Sequence, residues 1–406
     1  MDYIKRQAEK ILNEMSESFP VVLVTGARQV GKSTLLKNEK KSLPYITFDE
    51  IDKMESAIND PKLFLEMNTP PVILDEVQYV PNLFRSIKVQ VDRQNKPGLY
   101  FLTGSQKFNL MKNVSESLAG RIGILELNGI SLREMLNDNF SKPFLPNEDF
   151  IKNRITSSKK CTAKDVWRII QEGSFPAVVS KKNKWSSFYA SYIKTYIERD
   201  VRNLTQIGDE LQFIQFITIA ASRTGQLLNY ADLAKETGIS EPTAKKWLSI
   251  LITSGLVYLL KPYSTNVEKR VVKTPKLYFL DTGLVCWLTK WTSSEVLEFG
   301  AMAGAIFETF VVSEIVKSYT NCGLEPPIYF YRDRDKKEID IVIENNGTLY
   351  PVEIKKSTNP KKSDASSFQC LSTVNNMEVG NGTIICMNDS VGILDKNLLS
   401  ISYTFI

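Results

Sequence analysis

One short segment near the start of the chain constrains its fold more than any other feature. Residues 20–25 form an apolar, β-branched run that predicts a buried parallel strand. The motif G-x-x-x-x-G-K-S follows at once and leads into a predicted helix, a setting in which backbone N–H groups converge on phosphate oxygens. The residues of this loop are Gly26, Ala27, Arg28, Gln29, Val30, Gly31, Lys32, Ser33 and Thr34. The chain is therefore expected to contain an α/β domain with a parallel sheet and a phosphate-binding loop.

Two side chains of the loop carry the predicted chemistry. Lys32 is expected to reach the β- and γ-phosphates of ATP, and the Ser33 hydroxyl is expected to ligate Mg²⁺. Arg28 is another cation near the phosphates, and its side chain can equally point to solvent. The predicted cofactors of this domain are ATP and Mg²⁺.

Two further strands complete the predicted nucleotide site. The apolar run of residues 71–74 leads into Asp75 and Glu76. Asp75 is expected to hold the magnesium, directly or through water, and Glu76 to polarise the attacking water as a general base. Another apolar strand precedes Thr103 and Ser105, of which Ser105 is the preferred contact for the γ-phosphate or the water. The alternative is a hydroxyl that caps the next helix.

These stretches resemble a widespread group of prokaryotic AAA-type ATPases. Members of that group are usually described only as ATP-binding proteins with a C-terminal domain of unknown function. The matching stretches are residues 24–34, 73–78, 102–106, 115–121, 192–200, 276–283 and 351–355. The resemblance covers most of the chain and implies a nucleotide-driven switch, but it names no substrate.

Arg121 ends one of the matching stretches and has two interpretations. A fixed guanidinium near the end of the ATPase core could stabilise charge on the γ-phosphate, within its own chain or from a neighbouring subunit. It could equally belong to a surface ion pair. The sequence leaves both open, together with the question of whether the chain forms oligomers.

The middle of the chain predicts a helical connector at residues 136–205 and a winged helix-turn-helix at residues 206–265. In the latter, an apolar helix, a helix stopped by Gly238 and a helix capped by Ser240 precede a strand. A DNA-binding module of this kind would present its third helix to the major groove. The side chains concerned are Thr243, Lys245, Lys246 and Ser249. Winged helices also dock proteins, so DNA and a protein partner both remain candidates.

The last segment, residues 266–406, predicts a second α/β domain. Asp340 lies on one strand of a predicted hairpin, and Glu353 and Lys355 share a face of the other strand by period two. This set resembles the PD-(D/E)xK nucleases, with Glu308 as the acid on the preceding helix. The resemblance implies that the acids bind a second Mg²⁺ or Mn²⁺ and that the lysine helps to activate water. The alternative is a nuclease-like fold kept as a scaffold.

Composition excludes several other classes of protein. None of the 406 residues is histidine, which removes Ser-His-Asp and Cys-His mechanisms and histidine metal sites. The five cysteines lie far apart without a C-x-x-C pair, so neither a zinc site nor a disulfide framework is expected. The net charge of +5 permits nucleic-acid binding without requiring it. With no long apolar run and no signal-peptide pattern, no membrane contact is expected and the cytoplasm is the predicted location.

Two functions remain open from the sequence. In the first, a P-loop, AAA-like ATPase domain at residues 1–135 controls a winged-helix and nuclease-like module that acts on DNA. In the second, the chain is a regulatory signalling NTPase whose nuclease-like domain is catalytically inactive and binds a protein partner. Salt-dependent DNA binding would favour the first, because phosphate neutralisation releases counterions.

Overall fold

The structure is a computed structural model that describes residues 3–105, 117–196, 210–264, 274–333, 335–374 and 377–406. Some predicted features lie outside the described residues. They are Gln106, residues 115–116, residues 197–200 and the two ends of the predicted winged-helix segment. The chain divides into two compact units, the first comprising Met1–Ile130 with the short pieces Thr253–Gly255 and Thr320–Leu324, and the second comprising the rest. The predicted four-part division remains a prediction.

A five-stranded parallel sheet forms the centre of the first unit. Its strands are β1 (Val21–Thr25), β2 (Tyr45–Thr47), β3 (Val72–Asp75), β4 (Tyr100–Gly104) and β5 (Ile122–Glu126). They lie in the order β2-β3-β4-β1-β5, and every neighbouring pair is parallel. Strands β1, β3 and β4 are buried along their whole length, which is why their sequences are continuous apolar runs.

Helices connect these strands. They are α2 (Lys32–Glu39), α3 (Ile51–Asn59), α4 (Pro61–Met67) and α5 (Leu83–Gln94), whereas α1 (Ala8–Ser18) precedes β1. A buried apolar cluster includes Leu23 of β1, Leu74 of β3 and Phe84 of α5. Because the strands are parallel, their carboxyl ends meet at one edge of the sheet, where open α/β sheets bind ligands.

The second unit begins with five helices, and the last four of them lie in the segment predicted as a helical connector. They are α6 (Leu132–Met135), α7 (Glu148–Ser157), α8 (Ala163–Glu172), α9 (Pro176–Val179) and α10 (Trp185–Tyr196). Phe188, Tyr189 and Tyr192 of α10 are buried and pack against Phe175. This aromatic stripe is therefore core, as its helical spacing predicts.

The winged helix-turn-helix at residues 206–265 remains a prediction, and the next elements that the structure describes are three helices and three strands. They are α11 (Glu210–Ser222), β6 (Gln226–Leu227), α12 (Tyr230–Thr237), α13 (Glu241–Thr253), β7 (Val257–Leu260) and β8 (Lys276–Phe279). Helix α12 ends at Gly238, which has φ 72°, and the Ser240 hydroxyl accepts a hydrogen bond from Thr243 N over 3.2 Å. Strand β8 lies between β6 and β7 and is antiparallel to both.

A seven-stranded mixed sheet forms the end of the chain. It follows α14 (Thr282–Leu288), α15 (Ser294–Phe299) and α16 (Ala303–Thr320). The strands are β9 (Ile328–Arg332), β10 (Glu338–Asn345), β11 (Thr348–Ile354), β12 (Glu378–Val379), β13 (Gly382–Cys386), β14 (Gly392–Asp395) and β15 (Leu398–Ser402). Strands β9, β10 and β11 are antiparallel neighbours, whereas β13 is parallel to both β11 and β15. The five cysteines form no disulfide. In the described ranges, no helix has the length and apolar character needed to span a bilayer.

Candidate functional site

The loop between β1 and α2 has the backbone that a phosphate cradle requires. Gly26 has φ 142°, and Gly31, at the N-cap of α2, has φ 96°. Gln29 also has a positive φ, of 61°, and its side chain is exposed. A Cβ atom on Gly26 would lie 2.0 Å from the carbonyl oxygen of Leu127, so only glycine fits there.

Lys32 is buried and lies against this loop. Its Nζ donates hydrogen bonds to the carbonyl oxygens of Gly26 and Ala27 over 3.2 Å and 2.9 Å. These contacts hold an ammonium charge inside the loop, where the sequence predicts phosphate. The loop is also supported by Arg6, a buried residue that no motif marks, whose Nη1 donates to Val30 O over 3.0 Å.

Three hydroxyl groups converge on Asp75, at the carboxyl end of β3. Ser33 Oγ donates to Oδ1 over 2.7 Å, Tyr45 OH donates to Oδ2 over 2.5 Å, and Thr103 Oγ1 also donates to Oδ1. Burial, reinforced by the hydrogen bond to Asp75, raises the pKa of Tyr45, so its hydroxyl remains a donor. A hydroxyl and a carboxylate oxygen are ligands that Mg²⁺ prefers, and Ser33 and Asp75 therefore fit this ion. The sequence pattern did not single out Tyr45, because no motif surrounds it.

Glu76 lies at the same edge of the sheet, partly exposed, in left-handed backbone with φ 57° and ψ 44°. Its N–H donates to Thr103 Oγ1 over 3.3 Å, and its carboxylate accepts from Gln78 Nε2 and, over 3.5 Å, from Ser105 Oγ. Left-handed backbone costs a non-glycine residue on the order of 1 kcal/mol and is found preferentially at functional sites. Thus the Thr103 hydroxyl donates to the Asp75 carboxylate, whereas the Ser105 hydroxyl donates to the Glu76 carboxylate.

Arg121 lies at the opposite edge of this sheet. It precedes β5, whose first residue, Ile122, pairs with Val21 at the start of β1. The loop follows the other end of β1, about 13 Å away along the strand. The guanidinium instead pairs with Asp92, with Nε 2.5 Å from Oδ1 and Nη2 3.2 Å from Oδ2. The structure therefore shows a surface ion pair and no approach of Arg121 to the loop of its own chain.

The predicted nuclease-like residues meet in the second unit. Ile341 of β10 pairs with Val352 of β11, which places Asp340 opposite Glu353. Asp340 Oδ2 accepts a hydrogen bond from the N–H of Ile354 over 2.9 Å. Lys355 Nζ donates to Glu353 Oε1 over 2.6 Å, whereas Glu353 Oε2 is buried without a hydrogen-bond partner.

A lysine that the sequence pattern did not assign to this site lies among the acids. Lys276, the first residue of β8, is buried, and its Nζ is 2.6 Å from Glu338 Oε1 and 3.3 Å from Glu308 Oε1. The same Nζ is 4.0 Å from Asp340 Oδ1. Tyr278 OH, from the next position on the same face of β8, donates to Glu308 Oε1 over 2.5 Å.

Burial governs the ionisation of this cluster. Desolvation, with the nearby Asp340 carboxylate, raises the pKa of Glu308 to about 7. Desolvation, with the Glu353 carboxylate, raises the pKa of Asp340 to about 6. Burial alone would lower the pKa of Lys276, but the attraction of Glu308, Asp340 and Glu338 outweighs it and raises that pKa. Lys276 is therefore charged at neutral pH, where part of Glu308 carries a proton.

A cleft of about 710 Å³ in the second unit borders the cluster. Its lining includes Lys276, Glu338 and Arg332, together with Arg223 and Asp232. The cations are paired with these acids, since Arg332 Nε is 3.7 Å from Glu338 Oε2 and Arg223 Nη1 is 3.6 Å from Asp232 Oδ2. The cleft is thus polar and close to electrically neutral.

Three family models match successive parts of the chain. An AAA domain matches residues 18–136, a domain of unknown function (DUF8612) matches residues 163–295, and a second domain of unknown function (DUF4143) matches residues 303–404. The first match spans the parallel sheet, the glycine loop and Asp75. Residues 18–136 therefore form an AAA-type P-loop ATPase domain.

Curated relatives extend over nearly the whole chain. An uncharacterized protein of Mycobacterium tuberculosis is 31% identical over 359 residues, which are 88% of this chain and 75% of that protein. The chain belongs to the family of this mycobacterial protein. Another uncharacterized relative, from Methanocaldococcus jannaschii, is 25% identical over 343 residues, which are 80% of the chain described here and 72% of the archaeal protein. Among solved structures, the Walker-type ATPase of Pyrococcus abyssi matches with a TM-score of 0.42 and 15% identity, covering 70% of this chain and 94% of that chain.

Proposed function

We propose that the first unit binds ATP with Mg²⁺ and hydrolyses the nucleotide, and that this cycle controls the action of the second unit on DNA. The observation that carries the ATPase half is the 2.7 Å hydrogen bond between Ser33 Oγ and Asp75 Oδ1. It brings the two predicted magnesium ligands together from α2 and β3. The buried ammonium of Lys32 and the carboxylate of Glu76 lie at the same edge of the sheet.

Each residue of this edge has a distinct role in the proposal. Lys32 binds the β- and γ-phosphates, and Ser33 and Asp75 hold the magnesium, which neutralises developing charge when it is bound. Glu76 accepts a proton from the attacking water. Its left-handed backbone sets the direction in which the side chain leaves the main chain. Ser105, 3.5 Å from Glu76, helps to orient the same water.

The exposed face of α13 supports the DNA half of the proposal. Lys245, Lys246 and Ser249 are exposed on this helix, whereas Trp247 and Leu248 are buried. This division leaves the polar side of the third helix available to a major groove, as in helix-turn-helix proteins. Lys245 also pairs with Glu241 over 2.8 Å, an exposed contact that phosphate can replace at little cost.

Metal-dependent cleavage is not part of the proposal. The predicted nuclease-like residues lie on α16, β10 and β11, with Asp340 and Glu353 on neighbouring strands. Within the described ranges, however, no group of three or more acidic or cysteine side chains is arranged to hold a metal ion. The ammonium of Lys276 lies among the acids instead, so the residues in this arrangement do not fit a divalent cation.

The same lysine favours a second candidate function. In this candidate, the chain is a regulatory NTPase whose nuclease-like domain is inactive and binds a protein partner. ATP binding and hydrolysis are common to both candidates, and DNA binding separates them.

DNA binding tests the proposal directly. We expect the full chain to bind a short DNA duplex with an affinity that falls as salt rises, and Lys246→Ala to reduce the slope of log K against log salt by about 1. Lys152→Ala is the matched control, because Lys152 is an exposed helical lysine of the same unit, 3.5 Å from Glu148. Fluorescence anisotropy at several salt concentrations gives the DNA affinity and its salt slope, each with and without a non-hydrolysable ATP analogue. ATP hydrolysis without salt-dependent DNA binding would refute the DNA half and leave the second candidate.

A further inference from the structure

The acids of the nuclease-like segment are held together by an ammonium group. Lys276 Nζ contacts Glu308 on α16 and Glu338 on β10, at 3.3 Å and 2.6 Å, and lies 4.0 Å from Asp340. These carboxylates come from two separate elements, and the lysine comes from a third, β8. The side chain of Lys276 is 4% exposed, so water screens these interactions weakly.

A divalent cation would compete with this ammonium for the same oxygens. Metal–oxygen distances of about 2.1–2.6 Å would place such an ion beside Nζ, because both would share Glu308 Oε1 and Asp340 Oδ1. Two positive groups that close repel strongly in a buried site. Binding of a metal to these oxygens would therefore require Lys276 to leave.

We propose that Lys276 is the resident cation of this cluster and occupies the position at which the resemblance to PD-(D/E)xK nucleases implies a divalent metal. The cluster is then a metal-independent ion network that ties β8 to α16 and β10. Tyr278 adds a second link from β8 to Glu308 over 2.5 Å. The inference goes beyond the proposed function, since it concerns the second unit alone and does not depend on ATP hydrolysis.

Removal of the ammonium should convert the cluster into a metal site. In Lys276→Met, three buried or partly buried acids lose their shared counter-ion, and a side chain of similar length remains. The acids then repel one another, and a divalent cation relieves that repulsion. The variant should consequently need a metal that the wild-type chain does not need.

Thermal unfolding of the nucleotide-free full chain, at about pH 8 where carboxyl groups are ionised, tests this inference. We expect the wild-type Tm in EDTA and in Mn²⁺ to agree within about 1 °C. Lys276→Met should lower Tm in EDTA on the order of 5 °C and regain most of it in Mn²⁺. Electron paramagnetic resonance should detect Mn²⁺ bound to Lys276→Met, and Asp340→Asn in the same chain should remove it.

Lys355→Met is the matched control, because Lys355 contacts Glu353 in the same cluster but is 37% exposed. It should change Tm less than Lys276→Met and gain no Mn²⁺ site. If Lys276→Met does not fold in EDTA, the double variant Lys276→Met/Glu308→Gln, which removes one charge of each sign, should fold without metal. The inference is overturned if Mn²⁺ stabilises the wild type through Asp340, if Lys276→Met is as stable as the wild type in EDTA, or if the double variant also fails to fold.

Discussion

Gly26→Ala is the substitution for which the nucleotide loop makes the sharpest quantitative prediction. A methyl group on Gly26 would lie 2.0 Å from the carbonyl oxygen of Leu127 and 3.1 Å from its carbonyl carbon. Both are backbone atoms, and the N–H of Leu127 donates to Thr25 O over 2.8 Å. Leu127 therefore cannot move away from Gly26 without disturbing the hydrogen bonding that continues the pairing of β1 with β5. Overpacking of this kind costs about 1–3 kcal/mol, and a positive φ costs an alanine about 1–2 kcal/mol more. The free energy of unfolding should therefore fall by about 3 kcal/mol.

Gly120→Ala separates the steric effect from the backbone effect. Gly120 belongs to the same unit and has φ 76°, but a Cβ atom there meets nothing within 4 Å. Its alanine variant should lose only about 1 kcal/mol and should bind a fluorescent ATP analogue normally. Urea unfolding and titration with that analogue measure both quantities, and Gly26→Ala should bind the analogue at least about tenfold more weakly. Wild-type stability and affinity in Gly26→Ala would refute the close packing of the loop against Leu127.

Three further predictions concern other parts of the chain. Tyr45→Phe should raise the Mg²⁺ concentration needed for half-maximal ATP hydrolysis by about threefold to tenfold, since one hydrogen bond to Asp75 is lost. As the pH rises from about 4 to about 8, the unfolding free energy of Glu308→Gln relative to the wild type should shift by about 3 kcal/mol in favour of the variant, measured by urea unfolding. Asp138→Ala should cost about 3–5 kcal/mol of unfolding free energy in the same assay, because it leaves the fully buried Arg154, whose Nη2 is 2.8 Å from Asp138 Oδ2, without its carboxylate.

The sign of the Glu308 prediction follows from its raised pKa of about 7. The folded state binds the Glu308 proton more tightly than the unfolded state does. Protonated Glu308 therefore makes its full contribution to the free energy of unfolding at pH values below the pKa of the unfolded state. That contribution is lost as the pH rises through about 7, and glutamine has no proton to lose. A constant difference between the two proteins across this range would contradict the assignment.

The other two predictions have their own controls. An unchanged Mg²⁺ requirement with a lower Tm in Tyr45→Phe would mean that Tyr45 only supports packing. For Asp138→Ala, the control is Lys152→Ala, which removes an exposed helical pair and should leave stability unchanged. Equal stability of both variants would contradict a buried ion pair at Arg154.

The closeness of Ser33, Asp75 and Glu76 could be predicted because each of them directly follows a recognisable strand or glycine loop. The glycine loop lies directly between a strand and a helix, and Asp75 directly ends another strand. The carboxyl ends of parallel strands meet at one edge of a sheet, so these groups are brought together once the strands are recognised. The end of α12 could also be predicted from the sequence. Gly238 follows the helix, and glycine readily adopts the left-handed backbone found there.

Tyr45, Arg6 and Lys276 could not be predicted in the same way. Each acts through a contact with an element distant in the sequence, as Lys276 does with Glu308, which is 32 residues away. A buried lysine and an exposed one look identical in a sequence, because burial is decided by how β8, α16 and β10 pack. The position of a cation relative to a carboxylate cluster is therefore information that only the tertiary structure contains.

Single-turnover hydrolysis of ATP by the wild type, Glu76→Gln and Lys32→Ala tests the central claim most directly. Glutamine keeps the size of Glu76 but cannot accept a proton, so Glu76→Gln should bind ATP with wild-type affinity and hydrolyse it at least about 100-fold more slowly. Lys32→Ala should lose binding and hydrolysis together. Hydrolysis by Glu76→Gln at the wild-type rate, or failure of the wild type to bind ATP with Mg²⁺, would contradict the proposed site.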